Sequence, residues 1–198
     1  MRQAIFYPFR AALVVMAVMF ALAVRPALAV EGVVSGGKID PLPIAIAPFI
    51  GGGDVAGMMN EVITNNLGRS GYFQPLDPGS FAEQISDFNQ NPNFEGWRGS
   101  GAKALVTGQV FSNGGKIQVE FKLFDVAAQQ QIAAQQFSTT PKNARRIAHL
   151  ISDAIYKSIT GFEGYFDTRI VYVDESGPKS KRIKRLVVMD QDGFNPRA

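Results

Sequence analysis

The chain has 198 residues, 46% of them hydrophobic, and a formal net charge of +3 at pH 7. It contains no cysteine, which excludes a disulfide framework and a lipid anchor on a cysteine thiol. Three of the 20 basic residues and none of the 17 acidic residues precede position 30, so residues 30–198 carry 17 basic and 17 acidic side chains. This balanced charge gives no support for nucleic-acid binding.

Residues 1–29 predict a secretory signal peptide. Arg2 and Arg10 form a basic start, residues 11–24 are an uninterrupted apolar run, and an Ala-Leu-Ala sequence ending at Ala29 suits a signal peptidase. As a helix, the apolar run reaches about 21 Å, which is short of a hydrocarbon core of about 30 Å. The sequence therefore predicts cleavage after Ala29 and a soluble exported product.

Residues 30–41 are predicted to form a mobile N-terminal tail, because they include three glycines and few large apolar side chains that could hold them against a core. In an extended chain Val30 and Val34 lie on one side and Glu31 lies on the other. The tail could therefore add as a strand to the edge of another protein's sheet. The alternative is a linker left by processing.

The folded part is predicted to begin with a buried strand over residues 44–49 and a glycine loop at residues 51–53. Asp54 is a good N-cap for a helix that ends near Gly71, and a short strand follows over residues 72–76. The apolar positions of that helix repeat at helical spacing: Val55, Met58, Met59, Val62, Ile63 and Leu67.

The middle of the chain predicts an antiparallel meander after one or two helical turns within residues 80–87. Residues 104–111 have the composition of a strand, residues 112–115 predict a hairpin turn, and apolar and polar side chains alternate over residues 117–123. Residues 131–139 are predicted to pair beside that strand.

A second long helix is predicted to start at Asn143 and to end at Gly161. Its apolar stripe consists of Ile147, Leu150, Ile151, Ala154, Ile155 and Ile159. The predicted fold class is therefore α/β (α+β), a mixed β-sheet with two main α-helices.

The C-terminal segment returns to strand character over residues 168–173 and 183–190. Two strands alone are only marginally stable in water, so this hairpin is interpreted as the incomplete opening of a second domain. The predicted division is a signal peptide (1–29), a tail (30–41), an α/β domain (42–163) and the start of another domain (164–198).

The glycine loop offers an alternative function. Gly51, Gly53 and Ala56 fit G-x-G-x-x-A between a strand and a helix, with Asp77 about twenty residues further on, so an exported nucleotide-binding protein is the rival hypothesis. Asp54 would place a carboxylate beside the phosphates, and the meander abandons β-α alternation. A turn without a ligand is the favoured interpretation.

The remaining polar candidates favour surface chemistry over catalysis. His149, the one histidine of the chain, with Asp153 one helical turn on, is interpreted as an exposed pair. Residues 190–193 begin like a calcium loop but lack its closing glutamate, so a turn is predicted there. Five basic residues within 179–185 are interpreted as a solvated strand edge. No catalytic residue, cofactor or metal site is predicted.

Four blocks of sequence resemble the TolB family. They are PIAIAPF (43–49), LGRSGYFQPL (67–76), Trp97 with GAKALVTGQV (101–110), and TGF (160–162) with FDTRIVYV (166–173). The resemblance implies a mixed α/β domain followed by a six-bladed β-propeller, of which residues 164–198 would be the truncated first blade.

The same resemblance implies a non-catalytic periplasmic interaction module of the Tol-Pal cell-envelope system. TolB-like proteins bridge the inner-membrane protein TolA and the outer-membrane lipoprotein Pal, and support outer-membrane integrity and invagination during cell division. The implied TolA contacts are Val30, Glu31 and Val34, with Gly32 in place of a usual large apolar residue. Pal would dock on the propeller, so this chain alone is not expected to bind it.

Overall fold

The computed structural model describes residues 40–198 of the chain; the predicted signal peptide and most of the predicted tail lie outside these residues. The helices are α1 (Asp54–Arg69), α2 (Phe94–Gly99) and α3 (Ala144–Thr160). The strands are β1 (Leu42–Ile46), β2 (Ile50–Gly51), β3 (Phe73–Pro75), β4 (Ala104–Asn113), β5 (Lys116–Asp125), β6 (Gln130–Thr139), β7 (Arg169–Ser176) and β8 (Ile183–Asp190). Within residues 40–198, no helix is long and apolar enough to cross a membrane.

The main body, residues 42–160, contains a six-stranded mixed sheet in the order β3-β1-β4-β5-β6, with the short β2 also paired to β4. The strands β1 and β3, β1 and β4, and β2 and β4 run parallel, whereas β4, β5 and β6 form the predicted antiparallel meander. The predicted mixed sheet with two long helices is therefore confirmed.

Both long helices cover the same face of the sheet. Their apolar stripes meet the inward side chains of β1, β4 and β5 in one cluster, in which Met59, Ile63 and Ile151 have no exposed surface. Leu123 and Phe121 reach that cluster from β5, because every second residue of the strand points to this face. Burial of these side chains is the main source of stability for the main body.

The opposite face of the sheet is covered by a part of the chain that the sequence predicted incorrectly. Residues 82–87 contain no helix, and the helical turn of this region is a 3₁₀ turn at Pro78–Ser80. Helix α2 was not predicted, because it has only six residues and two of them are glycine. It places Trp97, which is fully buried, against the sheet, where the indole N–H donates to Glu83 at 2.6 Å.

The ends of the long helices follow the sequence closely, with one difference. Gly161 ends α3 in a left-handed conformation at φ 78°, as predicted. Gly53, and not Asp54, is the N-cap of α1; Asp54 is the first helical residue, where its negative charge complements the helix dipole. Ile50 and Gly51 form the short strand β2, whereas the sequence predicted Gly51 as part of a loop.

We predict that Gly108→Ala destabilises the protein by about 1–3 kcal/mol. A methyl group at this buried position of β4 would lie 2.5 Å from the ring of Phe49, which is itself buried. The matched control is Gly57→Ala on the exposed side of α1, where nothing lies within 4 Å and where alanine should stabilise the helix by about 0.8–1 kcal/mol. Urea unfolding measures both, and a neutral Gly108→Ala would contradict the packing described here.

Candidate functional site

The residues predicted to contact TolA lie outside the described residues. Val30, Glu31 and Val34 precede residue 40, so their role stays a prediction. The described chain begins with Asp40 and Pro41, which are exposed, directly before β1. A segment that precedes residue 40 is therefore attached at the protein surface.

The glycine loop has a packing explanation that requires no ligand. Gly51, Gly52 and Gly53 all have positive φ angles, between 52° and 74°. A methyl group on Gly51 or Gly52 would lie 2.6 Å from atoms of Val110 in β4, so glycine is required where the loop crosses that strand. These contacts, together with the carboxylate of Asp54 in the first turn of α1, favour the prediction of a turn over that of a nucleotide site.

A buried polar network joins the main body to the C-terminal turn, residues 190–193. Its centre is Asn66 of α1, which has no exposed surface. The amide nitrogen of Asn66 donates to His149 Nδ1 at 2.9 Å and to Ser152 Oγ at 3.0 Å, both on α3. The amide oxygen accepts from Arg69 Nη2 at 2.9 Å and from Gln191 Nε2 at 3.0 Å. All the hydrogen-bonding capacity of a buried amide is thus used.

The network assigns the tautomer of His149. A guanidinium can only donate, so Arg69 fixes which side of the Asn66 amide is the oxygen. The Asn66 nitrogen must then donate to Nδ1 of His149, which leaves the proton of the neutral ring on Nε2. That Nε2–H points toward Asp192, 3.7 Å away, and has no hydrogen-bond partner within the described residues.

The interpretation of His149 and Asp153 as an exposed pair is wrong. His149 is only 3% exposed, because α1 and the C-terminal turn both cover it. Burial lowers the pKa of His149, and the nearby charge of Asp192 opposes that shift only in part. Asp153 instead accepts hydrogen bonds from the backbone nitrogens of Phe166 and Asp167, at 2.7 and 3.1 Å.

The segment that precedes β7 is attached to α3 through Asp153, and the ring of Phe166 adds apolar packing to this attachment. Phe166 is 1% exposed, and its centroid lies 5.9 Å from the ring of Tyr156 on α3 in an edge-to-face arrangement. On the exposed side, Arg146 pairs with Asp167 at 3.0 Å. The segment that leads into β7 is therefore held to α3 by packing, hydrogen bonds and charge together.

His149, Asp190 and Asp192 are close enough to suggest a metal site, since one ligand atom of each lies within 4.8 Å of the others. Two features oppose that assignment. The Nε2 atom carries the proton of the ring, so it has no lone pair for a metal. In addition, Arg145 forms an ion pair with Asp192 and already balances its charge. These contacts favour the predicted turn at residues 190–193 over a cation loop.

The hairpin of β7 and β8, here called the C-terminal hairpin, exposes apolar side chains on both faces. Val171 and Val173 are each 56% exposed on one face, and Ile170 is 42% exposed on the other. On β8, Leu186 is 65% exposed. The predicted solvated basic edge is observed at its tip, where Arg182 and Lys184 both pair with Glu175.

Asn66 and Gln191 were not predicted from the sequence as members of a site. One signal was available for Asn66: it lies four residues after Val62 and three after Ile63, within the apolar stripe of α1. A polar side chain at such a position requires a buried partner. Its partners on α3 and in the C-terminal turn lie 83 to 125 residues away, and no local pattern connects them with Asn66.

We predict that Asn66→Ala destabilises the protein by about 2–4 kcal/mol, because it leaves the buried acceptors His149 Nδ1 and Ser152 Oγ without their donor. The matched control is Asn65→Ala at the neighbouring exposed position, which should change the free energy of unfolding by less than about 0.5 kcal/mol. Chemical denaturation of both variants tests this. Equal effects of the two substitutions would refute the central role of Asn66.

We also predict that stability falls as the pH is lowered from 7.5 to 5.5. His149 has a lowered pKa in the folded protein, so the unfolded chain binds the proton more readily, and its stabilising contribution is lost as the pH falls below about 6.5. Because the chain has a single histidine, no other side chain of that type titrates in this window. His149→Gln should flatten the profile of unfolding free energy against pH; an unchanged slope would exclude His149 as its source.

The comparisons with known proteins agree with the fold and with the sequence blocks. The TolB amino-terminal domain family matches residues 31–153. TolB from Acinetobacter baumannii is similar in structure, with a TM-score of 0.64 and 28% identity, over 80% of this chain and 38% of that protein. The C-terminal domain of LpoB from Salmonella enterica has a TM-score of 0.40 and 13% identity, over 52% of this chain and 86% of that domain.

The family match and the similarity to the Acinetobacter TolB confirm the resemblance that the four sequence blocks indicated. The chain spans 38% of the length of the Acinetobacter TolB. The family match covers more than half of the chain and includes β1, both long helices up to Asp153, and the whole meander. The chain therefore belongs to the TolB amino-terminal domain family.

Proposed function

We propose that this protein is a non-catalytic periplasmic interaction module of the Tol-Pal system that bridges inner-membrane TolA and outer-membrane Pal. In this role it supports outer-membrane integrity and invagination during cell division. The observation that carries the proposal is the family match over residues 31–153. The TolB family is periplasmic and non-catalytic, and its proteins act through protein–protein contacts.

The proposed TolA contact is the N-terminal tail, residues 30–41, with Val30, Glu31 and Val34 as contact residues. The tail is attached at the exposed start of β1, so an extended segment at this place has room to reach a partner. A segment with several glycines that orders only on binding forms a reversible link, since part of the binding energy is spent on ordering it. Signal cleavage after Ala29 would generate this tail.

The proposed Pal contact requires a β-propeller that begins at the C-terminal hairpin. The apolar residues on both hairpin faces support this proposal, because an inner strand pair of a propeller blade is covered on both faces and extended at its edges. We accordingly propose the division into an α/β domain (42–163) and the start of a propeller (164–198). Pal binding is proposed for the complete propeller and not for these two strands.

The proposal is tested by titrating the periplasmic domain of TolA against the chain that begins at Val30 and against a variant lacking residues 30–38. Saturable binding is expected for the first and loss of binding for the second. Val34→Asp should weaken binding by tenfold or more. Val33→Asp, which adds the same charge on the other side of an extended tail, is the matched control and should have a smaller effect.

Two results would contradict the proposal. Unchanged TolA affinity after deletion of residues 30–38 would exclude the tail as the contact. Saturable binding of Pal to the chain beginning at Val30, titrated in parallel, would exclude the propeller as the necessary Pal site.

A further inference from the structure

A cleft of about 310 Å³ lies between the start of α3 and the end of the C-terminal hairpin. His149 forms part of its wall, and Asp167 and Asp190 are the acidic side chains that line it. The cationic side chains that line it are more numerous: Lys142, Arg145, Arg146, Arg169 and Arg197.

The cations of this cleft exceed the anions after every ion pair is counted. Arg145 is paired with Asp192, and Arg146 is paired with Asp167. Within residues 40–198, the side chains of the remaining three cations form no ion pair, and Asp190 is the one carboxylate of the lining without one. Three unpaired cations against one unpaired carboxylate leave a local surplus of two positive charges.

The charges in the first turn of α3 are unfavourable for the stability of that helix. The first turn of α3 contains Arg145 and Arg146 and no acidic residue, and no side chain caps its N-terminus. The N-terminus of a helix carries a partial positive charge, which disfavours cations and attracts anions. Two arginines at this position are therefore a cost to the isolated helix, which Asp192 and Asp167 relieve in part and a bound anion would relieve further.

Two buried nitrogen atoms provide an independent indication. His149 Nε2 and Arg145 Nε are buried and have no hydrogen-bond partner within the described residues. The His149 side chain is only 4% exposed, and its Nε2 carries the ring proton because Nδ1 accepts from Asn66. Both unpartnered atoms are donors beside Asp192, so they add to the donor-rich character of this wall of the cleft without contacting a ligand directly.

We propose that this cleft is a binding site for a phosphate group. A phosphate monoester carries a charge of about −1.5 to −2 at pH 7 and three acceptor oxygens, which matches the surplus charge and the excess of donors. The guanidinium groups of Arg169 and Arg197 can bind such oxygens in the bidentate manner that arginine favours, and Lys142 adds a point charge at the helix start. Asp192 does not oppose this, because Arg145 balances its charge.

The test is the thermal stabilisation of the purified protein by inorganic phosphate, compared with sodium chloride at equal ionic strength. Stabilisation specific to phosphate is expected. Lys142→Gln and Arg197→Gln should each weaken phosphate binding by tenfold or more. The matched control is Lys179→Gln in the exposed basic loop of the hairpin, which removes the same charge outside the cleft and should leave binding unchanged.

A second experiment distinguishes a lipid headgroup from a soluble phosphate as the source of the phosphate group. Capture of the protein by vesicles containing phosphatidic acid, lost in Lys142→Gln, would assign a lipid headgroup; binding of inorganic phosphate without such capture would assign a soluble phosphate. The proposal is overturned if phosphate stabilises no more than chloride, or if Lys179→Gln weakens binding as much as Lys142→Gln. None of these results depends on TolA or Pal.

Discussion

The junction of α1, α3 and the C-terminal turn depends on the hydrogen bonds of one buried amide, Asn66. A buried amide without partners is destabilising, so α1 can carry Asn66 in its apolar stripe only if α3 and the C-terminal turn both supply partners. Packing of the two long helices places His149 and Ser152 beside the amide nitrogen of Asn66. The amide oxygen then faces the C-terminal turn, where Gln191 donates to it. A polar group inside an apolar helix interface thus specifies one arrangement where apolar side chains alone would permit several.

Elements with strong local patterns could be predicted from the sequence, and elements that depend on distant partners could not. The stripe from Val55 to Leu67 and the alternation over residues 117–123 each specify one structure, because a helix and a strand bury different periodicities. Helix α2 has no such stripe. It forms because Trp97 packs against the sheet face opposite the two long helices and donates a hydrogen bond to Glu83. The Asn66 network joins residues up to 125 positions apart, which no local pattern encodes.

The same bonds that hold the hairpin also determine the chemistry of the cleft. Arg69 orients Asn66, Asn66 places the ring proton of His149 on Nε2, and that proton removes the ring from the possible metal ligands. The distances between His149, Asp190 and Asp192 alone would suggest a cation site. With its proton on Nε2, however, His149 contributes a donor to this wall of the cleft. The total charge of residues 30–198 is balanced, although the cleft has a local surplus of positive charge. Composition could therefore exclude general attraction of polyanions, but it could not exclude the proposed phosphate site.

The proposed N-terminal tail and the C-terminal hairpin are both attached close to one end of α1. At the start of β1, Leu42 donates its backbone N–H to Tyr72 at 2.8 Å, and Tyr72 in turn donates to Ser70, the C-cap of α1. On the preceding turn, Arg69 donates to Gln191 of the C-terminal turn at 3.3 Å. The attachment of the tail and the docking of the hairpin are thus separated by Arg69–Tyr72 along the chain. A shift of this helix end would therefore disturb the contacts of both attachments.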